Sequence, residues 1–309
     1  MKVGVLGSTG FVGRNLTEAL NKANINFVGA SRRSGVNARH DDDVYDWLKQ
    51  NEVTHLVNLA AECGGIGLNQ RSPADLWVST QRISASVLEA CMRHNIEKLI
   101  QLGTVCSYSA DQPVPFQEDC IMYHGPPEAT NRAYGIAKLS GLYGAQAYHK
   151  QFGLRVCNLI AVNMYGKYDH FDLLDSHVIP AIIKKINDAM KNDAEVVLWG
   201  SGSPTREFLH ASDFANAVIL ALKNEHSRAN DGTFINVGTG KEISIKDLAN
   251  IIADLMDYKG QIVWDKKKPD GQMRRCLDIS KAKFILDYNP EIALRHGLRE
   301  TIDWYLHHN

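Results

Sequence analysis

The 309-residue sequence has few cysteines and no pattern among them that indicates a disulfide framework or a metal site. No CxxC pair occurs, and the six thiols are scattered along the chain at Cys63, Cys91, Cys106, Cys120, Cys157 and Cys276. Disulfide-rich secreted domains and thiolate metal sites depend on closely paired cysteines. We therefore expect reduced thiols, no bound metal and a cytoplasmic protein.

Long apolar stretches and an excess of charge of one sign are also absent. No run approaches the roughly 20 apolar residues that a membrane helix needs. Met1 leads directly into a β-prone segment, without the charged and apolar regions of a signal peptide. The formal net charge is −1, so no global field attracts nucleic acid or a membrane surface. The sequence predicts neither a nucleic-acid partner nor a membrane partner.

Strand-like and helix-like segments alternate through the first half of the chain. Strands are predicted at 2–6, 26–30, 54–59, 98–102 and 154–159, and long helices at 75–95 and 131–152. Repeated βα units favour an α/β fold with a Rossmann-type, doubly wound parallel sheet.

After about residue 165 the segments become rich in turns, with helices predicted at 177–192, 212–223, 245–257 and 291–307. This change indicates a second, smaller α/β domain. We expect a dinucleotide-binding domain of residues 1–165 plus about 208–238. The substrate-binding domain would comprise about 166–207 plus 239–309.

A glycine-rich loop follows the first predicted strand and precedes a helical segment. Its glycines have the spacing GxxGxxG, a relative of the GxGxxG dinucleotide fingerprint. The first allows a tight turn, the second lets the backbone approach a pyrophosphate, and the third lets helix and strand pack closely. A glycine-rich turn of another α/β protein is the alternative. We predict that phosphates bind to this loop, which comprises Gly7, Ser8, Thr9, Gly10, Phe11, Val12 and Gly13.

Two arginines, Arg32 and Arg33, follow the second predicted strand. An enzyme that prefers NAD usually has an acidic residue here, which holds the ribose 2′-hydroxyl. Guanidinium groups instead suit a 2′-phosphate, because they bind it through two hydrogen bonds at once. This pair favours NADP(H) as the cofactor, with a solvated basic turn as the alternative.

Tyr134 and Lys138 are four residues apart in a segment that is predicted to be helical. Side chains at this spacing lie on one face of a helix, one above the other. A fixed ammonium group would lower the pKa of the phenol, which would then exchange a proton with a sugar or alcohol oxygen near neutral pH. This spacing also occurs by chance on exposed helices, but together with the glycine loop it predicts a catalytic pair.

Several other side chains are candidates for chemistry near the ends of predicted strands. Thr104 offers a hydroxyl to the same substrate oxygen, and Cys106 is a candidate acid or base, although a structural threonine and a small buried thiol are common. His177 opens a predicted helix and suits general acid work. Trp199 and Arg206 flank a turn and form a plausible clamp for a nucleobase and a diphosphate, or else a core residue and a surface ion pair.

These residues together resemble the extended short-chain dehydrogenase/reductase family, and within it the GDP-L-fucose synthases, which are GDP-4-keto-6-deoxy-D-mannose epimerase–reductases. The resemblance covers nearly the whole chain. Its most specific segments are 59–66, 124–127, 176–180, 197–202, 206–210, 236–240 and 268–271.

The resemblance implies a role for each matching residue. Cys106 and His177 would epimerise C3 and C5, beside a 4-keto group that acidifies both protons. Tyr134 would protonate the oxygen at C4 after hydride transfer from NADPH, with Lys138 and Thr104 supporting it. Further cofactor contacts are implied at Leu59, Ala60, Ala61, Leu102, Lys138, Asn163 and His177. Substrate contacts are implied at Asn163, Val178, Lys185, Trp199, Arg206 and Asp270.

Some positions depart from the family pattern, and they leave the sugar open. Thr104 stands where the family usually has serine, Thr9 where it often has arginine, and Ala161-Val162 where it has Pro-Thr. A related GDP-4-keto-heptose is therefore a possible substrate, as is a reductase that leaves epimerisation to another enzyme.

Two other functions remain open from the sequence. One is a redox-neutral, NAD-dependent nucleotide-sugar 4-epimerase, against which Arg32 and Arg33 argue. The other is a non-catalytic NADP-binding regulator, which would not need Thr104, Tyr134 and Lys138 together. The helices at 75–95 and 131–152 carry small and apolar residues on more than one face, and the resemblance implies that they pair in a four-helix homodimer contact.

Overall fold

Six parallel strands form the main sheet of this computed structural model, which describes residues 1–173, 176–268 and 270–308. The strands of this sheet are β1 (Val3–Leu6), β2 (Phe27–Ala30), β3 (His55–Asn58), β4 (Lys98–Thr104), β5 (Val156–Ala161) and β9 (Asp231–Val237). Their order across the sheet is β2-β1-β3-β4-β5-β9. The strand order reverses between β1 and β3, and the crevice at such a point is where ligands of doubly wound sheets bind.

Helices cover both faces of this sheet. One face carries α1 (Phe11–Lys22) against α7 (Ala211–Lys223), and the other carries α2 (Asp41–Gln50), α4 (Pro73–His94) and α5 (Arg132–Phe152). The short helix α3 (Ile66–Arg71) precedes α4. The central strands are apolar and buried on both faces, as a parallel sheet between two helical layers requires. The predicted fold class is confirmed, whereas α2 and α3 were not predicted.

The rest of the chain forms two small sheets and their helices. One sheet comprises β10 (Glu242–Ser244), β8 (Thr205–His210) and β6 (Asn163–Tyr165) in that order, and the other pairs β11 (Ile262–Asp265) with β7 (Val196–Trp199). The helices are α6 (Val178–Asn192), α8 (Ile245–Leu255), α9 (Ser280–Leu286) and α10 (Leu294–His308). An apolar cluster joins α6, α8 and α10, and a separate one places α9 in the core of the main sheet.

Two kinds of feature are absent from the described residues. No helix in the described ranges has both the length and the apolarity that crossing a bilayer requires. Within those ranges, no group of three or more His, Cys, Asp or Glu side chains is arranged to hold a metal ion.

Candidate active site

The glycine loop between β1 and α1 has no room for side chains at two of its glycines. Gly7 has a φ of +83°, and a Cβ there would lie 2.9 Å from the carbonyl carbon of Leu59. A Cβ on Gly13 would lie 2.1 Å from the carbonyl oxygen of Gly7. Gly10 caps α1 without a side-chain hydrogen bond, so the first N–H groups of the helix face an open loop. This cradle fits the pyrophosphate of a dinucleotide.

A cleft beside the loop is lined by arginines. Arg32 and Arg33 lie in a short 3₁₀ helix after β2, and both line this cleft together with Arg39 and Glu62. Several residues that the sequence assigned to the cofactor line it as well, namely Gly7, Thr9, Gly10, Leu59, Ala60 and Ala61. The cleft is therefore both basic and continuous with the glycine loop, which fits a phosphorylated adenosine.

Tyr134 and Lys138 lie one turn apart near the start of α5, where this helix packs against the segment after β4. A Cβ on Gly135, which follows Tyr134, would lie 2.2 Å from the carbonyl oxygen of Cys106, so the two backbones are in direct contact. Thr104 ends β4, and its hydroxyl accepts a hydrogen bond of 3.3 Å from the N–H of Cys106. The fold thus gathers four of the five residues that were predicted to be catalytic at the carboxyl end of one central strand, His177 being the exception.

The electrostatics of this pair differ from the sequence prediction. Burial raises the pKa of the Tyr134 phenol well above its usual value, and the thiols of Cys63 and Cys106 add to the shift. Burial lowers the pKa of Lys138 to about 8, and its Nζ donates a 2.8 Å hydrogen bond to the carbonyl oxygen of Leu102. The prediction of a lowered phenol pKa is wrong, because burial disfavours the charged phenolate and Lys138 is not among the groups that shift this pKa. The phenol is protonated near neutral pH.

Two hydrogen-bond donors point at the sulfur of Cys106. Nδ2 of Asn131 lies 3.3 Å from Sγ, and Nη1 of Arg275 lies 3.8 Å from it. Arg275 is 8 % exposed. A second guanidinium, that of Arg206, lies near Arg275. Burial lowers the pKa of Arg206 to about 10, and the charge of Arg275 adds to this shift. The sulfur of Cys106 therefore has two N–H donors beside it, one of them a guanidinium.

His177 immediately precedes α6 and is accessible to solvent. Desolvation by the surrounding protein atoms is the main cause that lowers the pKa of its imidazole, and His170 lowers it further. Asp169, next to His170, is 8 % exposed, and burial raises its pKa to about 7. Oδ2 of Asp169 accepts no hydrogen bond within the described part of the chain.

Trp199 ends β7 and is 66 % exposed, so it is not a core residue. Nζ of Lys268 lies 5.1 Å from the centre of its ring, a cation–π contact. An exposed aromatic face beside a cation is available for stacking. Pro269, which belongs to one of the family-like segments, lies outside the described residues.

Arg206 bonds the backbone of the segment that contains Asp270. Asp270 accepts hydrogen bonds of 2.8 Å and 2.7 Å from the N–H and the hydroxyl of Ser201. Nη1 of Arg206 donates to the carbonyl oxygen of Gln272 at 2.5 Å. This segment then continues to Arg275, so it connects the predicted nucleotide-binding residues to Cys106.

The other predicted substrate residues lie on the elements that border this region. Nζ of Lys185, on α6, donates a 2.7 Å hydrogen bond to the carbonyl oxygen of Val197, and burial lowers the pKa of Lys185. Val178 is the first residue of α6, and Asn163 is the first residue of β6, where it pairs with Phe208 of β8.

Several residues at this site were not predicted from the sequence. They are Arg39, Glu62, Cys63, Asn131, Asp169 and Arg275. The dense basic stretch that ends in Arg274 and Arg275 was visible as a charge pattern. The structure separates the two, because Arg274 is exposed and pairs with Glu242, whereas Arg275 is buried beside Cys106.

Comparison with known proteins identifies the family of this chain. The model of the NAD dependent epimerase/dehydratase family matches residues 3–238. The chain belongs to this family. It is 36% identical over 306 residues to a putative GDP-L-fucose synthase 2 of Arabidopsis thaliana, covering 99% of this chain and 92% of the relative. It is 34% identical over 311 residues to the GDP-L-fucose synthase of Escherichia coli K12, covering 99% and 96%.

Solved structures of similar enzymes share the whole fold. A GDP-6-OMe-4-keto-L-xylo-heptose reductase from C. jejuni superposes with a TM-score of 0.91 at 25% identity, over 100% of this chain and 98% of that one. A GDP-mannoheptose C4 reductase from Campylobacter jejuni with NADP bound gives 0.87 at 25% identity, over 99% and 98%. The resemblance to the GDP-L-fucose synthases that the motifs predicted is confirmed.

Proposed function

We propose that this chain is an NADPH-dependent oxidoreductase that reduces C4 of a GDP-4-keto-6-deoxy-hexose or a related GDP-4-keto-heptose, with epimerisation at C3 and C5. The observation that carries the proposal is the convergence of Thr104, Cys106, Tyr134 and Lys138 at the carboxyl end of β4, in the same parallel sheet whose first strand leads into the glycine loop. The relatives named above, GDP-L-fucose synthases and GDP-heptose reductases, support the substrate class.

The reduction needs one hydride on C4 and one proton on its oxygen. NADPH, when bound, supplies the hydride. Tyr134 donates the phenolic proton to the oxygen that forms at C4, a role that its raised pKa suits because the phenol is protonated near neutral pH. Thr104 donates a hydrogen bond to the same oxygen. Lys138, which bonds the carbonyl oxygen of Leu102, positions the nicotinamide ribose.

Epimerisation needs a base and an acid for carbons whose protons the neighbouring 4-keto group acidifies. Cys106, with Asn131 and Arg275 beside its sulfur, acts as the base that takes a proton from the ring carbon. His177 returns a proton from the opposite face, and its accessible position before α6 supports such an exchange.

We assign the remaining predicted contacts to the nucleotide ends of cofactor and substrate. The glycine loop and Arg32 and Arg33 would hold the pyrophosphate and the 2′-phosphate of NADPH. The GDP-sugar would contact Asn163, Val178, Lys185, Trp199, Arg206 and Asp270. In domain terms, residues 1–165 plus about 208–238 would bind the cofactor, and about 166–207 plus 239–309 the GDP-sugar.

A second candidate is a C4 reductase without epimerase activity. Two solved structures with which the chain superposes are named as reductases of GDP-heptoses, which favours this alternative over the redox-neutral 4-epimerase and the non-catalytic regulator. In it, Cys106 and His177 would act as binding groups only.

One experiment separates these functions. The purified chain is supplied with NADPH and candidate GDP-4-keto sugars in deuterated water, while absorbance at 340 nm follows the cofactor and NMR identifies the product. Stoichiometric NADPH oxidation with deuterium at C3 and C5 is expected. Oxidation without deuterium would support the reductase alone, and a changed sugar without oxidation would support the 4-epimerase. The absence of any turnover of any substrate would contradict the proposal.

We also propose a homodimer in which α4 and α5 pair with the same helices of a second copy. Their outer faces carry exposed apolar side chains, including Trp77 at 44 % and Ile136 and Tyr143 at 42 %. A solution mass of two chains at micromolar concentration is expected, and a monomeric mass would contradict it. Ile136→Glu should yield monomers, whereas Phe284→Glu, at a 77 % exposed position on α9, should not.

A cytoplasmic location is proposed on chemical grounds. All six cysteines are free thiols. Thiols stay reduced in the cytoplasm, and Cys106 acts only as a free thiol in the proposed epimerisation. Fractionation of the source cells, with recovery of the chain outside the cytoplasmic fraction, would contradict this location.

A further inference from the structure

The cofactor cleft contains a carboxylate that shares one oxygen between two arginines. Oε1 of Glu62 accepts a 3.0 Å hydrogen bond from Nη1 of Arg32 and a second from Nη2 of Arg39. Arg39 is not part of the pair that the sequence indicated after β2, since it precedes α2. All three side chains line the cleft together with Gly7 and Gly10.

Arg39 is held on two sides. Besides its bond to Glu62, its Nε donates a 3.0 Å hydrogen bond to the hydroxyl of Ser79, a buried residue of α4. The Arg39 side chain is 26% exposed, whereas that of Arg32 is 64% exposed. Because a planar guanidinium with two fixed partners has little freedom to lose, Arg39 is the better positioned of the two for an anion.

A carboxylate oxygen between two guanidinium groups occupies the kind of position that a phosphate oxygen takes, because both anions accept N–H bonds from the same planar fork. Glu62 is ionised near neutral pH. Burial acts to raise its pKa, but the hydrogen bonds from Arg39 and Ser79 and the charges of both arginines outweigh burial, and the pKa is lowered. An incoming phosphate must therefore share the arginines with a negative charge.

We propose, on the basis of the NADPH use stated above, that Arg39 and Glu62 set the cofactor preference of this chain. Arg39 binds the 2′-phosphate together with Arg32, and Glu62 opposes that phosphate while it positions Arg39. NADH has a neutral hydroxyl in place of this phosphate and meets no such opposition. The preference for NADPH over NADH is therefore smaller than the two arginines alone would produce.

Calorimetric titration of the full chain with NADP⁺ and with NAD⁺, without a sugar substrate, tests this proposal apart from turnover. Glu62→Gln should tighten the binding of NADP⁺ about fivefold and change the binding of NAD⁺ less than about twofold, because only the 2′-phosphate carries the charge that Glu62 repels. The effect is modest because solvent screens this exposed site. Arg39→Gln should weaken NADP⁺ about tenfold, with little effect on NAD⁺. Adenosine 2′,5′-bisphosphate and AMP serve as smaller probes and should repeat the same contrast.

Glu225 and Arg155 provide matched controls. They form an ion pair of 2.5 Å that does not line the cleft. Glu225→Gln and Arg155→Gln should leave the binding of both cofactors unchanged. Thermal unfolding of every variant verifies that the fold persists.

The outcomes distinguish this inference from the proposed function. If the unsubstituted chain binds NADP⁺ but Glu62→Gln weakens it, or shifts both cofactors equally, the opposing role of Glu62 is overturned and the proposed function stands. If Arg39→Gln leaves NADP⁺ binding unchanged, the phosphate role of Arg39 is overturned. If the unsubstituted chain binds neither cofactor, the proposed function itself fails.

Discussion

The guanidinium of Arg275 and the thiol of Cys106 lie side by side, 3.8 Å apart from Nη1 to Sγ, although 169 positions separate them in the chain. Nε and Nη2 of the same arginine bond the Gln272 side chain at 3.2 and 3.0 Å. The arginine is thus fixed by one neighbour and turned toward the sulfur by its remaining nitrogen. The contact places a fixed cationic N–H donor at the sulfur to which we assign a role in epimerisation.

Replacement of Arg275 should therefore reduce the reactivity of Cys106. In a Cys63→Ser background, which removes the exposed thiol nearby, Arg275→Gln should slow alkylation of Cys106 by iodoacetamide about five- to tenfold at neutral pH. Deuterium exchange at C3 and C5 should fall with it, whereas Arg275→Lys should retain part of both. Peptide mass spectrometry identifies the alkylated residue.

The neighbouring Arg274 supplies the control for that prediction. It is exposed and pairs with Glu242. Arg274→Gln therefore makes the same change of side chain and charge as Arg275→Gln, but at a residue that does not contact the sulfur of Cys106. Alkylation rates that fall equally in both variants would show that general electrostatics, and not the contact with Cys106, controls the thiol.

Tyr134→Phe removes the phenolic proton but keeps the ring. We expect turnover to fall by about 10²- to 10⁴-fold, the usual contribution of a positioned general acid, while NADPH binding measured by fluorescence changes little. Tyr148→Phe removes a hydroxyl from the same helix, where it bonds Glu89 at 3.0 Å, and should retain full turnover. Full activity in Tyr134→Phe would disprove its role as the proton donor.

The lowered pKa of Lys138 predicts how activity depends on pH. With a pKa of about 8, the ammonium is charged below that pH and neutral above it. The value of kcat/KM for NADPH should therefore decline as pH rises through about 8, since a neutral lysine binds the ribose less well. Steady-state rates between pH 6 and 10 would reveal this decline.

A second buried lysine serves to assign that decline. Burial also lowers the pKa of Lys98 to about 8, but Lys98 begins β4, at the opposite end from the site, and donates to the carbonyl oxygen of Asn224 at 2.8 Å. Lys98→Met should retain the decline, and any residual activity of Lys138→Arg should lose it, because a guanidinium stays charged. A decline that persists in Lys138→Arg would assign it to another group.

The glycine loop predicts unequal effects of two similar substitutions. Gly13→Ala places a methyl group 2.1 Å from the carbonyl oxygen of Gly7. It should lower the free energy of unfolding by about 3 kcal/mol, at the upper end of typical overpacking costs. Gly10→Ala meets the same oxygen at 3.3 Å and should cost less than about 1 kcal/mol. Denaturant unfolding without cofactor measures both, and equal losses would contradict the close packing of α1 against the loop.

Sequence patterns predicted the long elements better than the short ones. The helices α4 and α5 and the buried strands β3 to β5 have enough residues to display a period or an apolar run. Strands β6 and β10 have three residues each, too few for alternation to be visible. The helix α2 carries buried Val44, Trp47 and Leu48 at helical spacing, a pattern that is typical of an amphipathic helix.

The amino-acid sequence by itself determined the loop between β1 and α1, the spacing of Tyr134 and Lys138, and the arginines after β2, because backbone conformation depends mainly on neighbours in the chain. Only the tertiary structure decided that the phenol of Tyr134 has a raised pKa, that Arg275 faces Cys106 and that Glu62 pairs with Arg39. Burial and charge depend on atoms that are close in space, and here those atoms come from residues far apart in the chain.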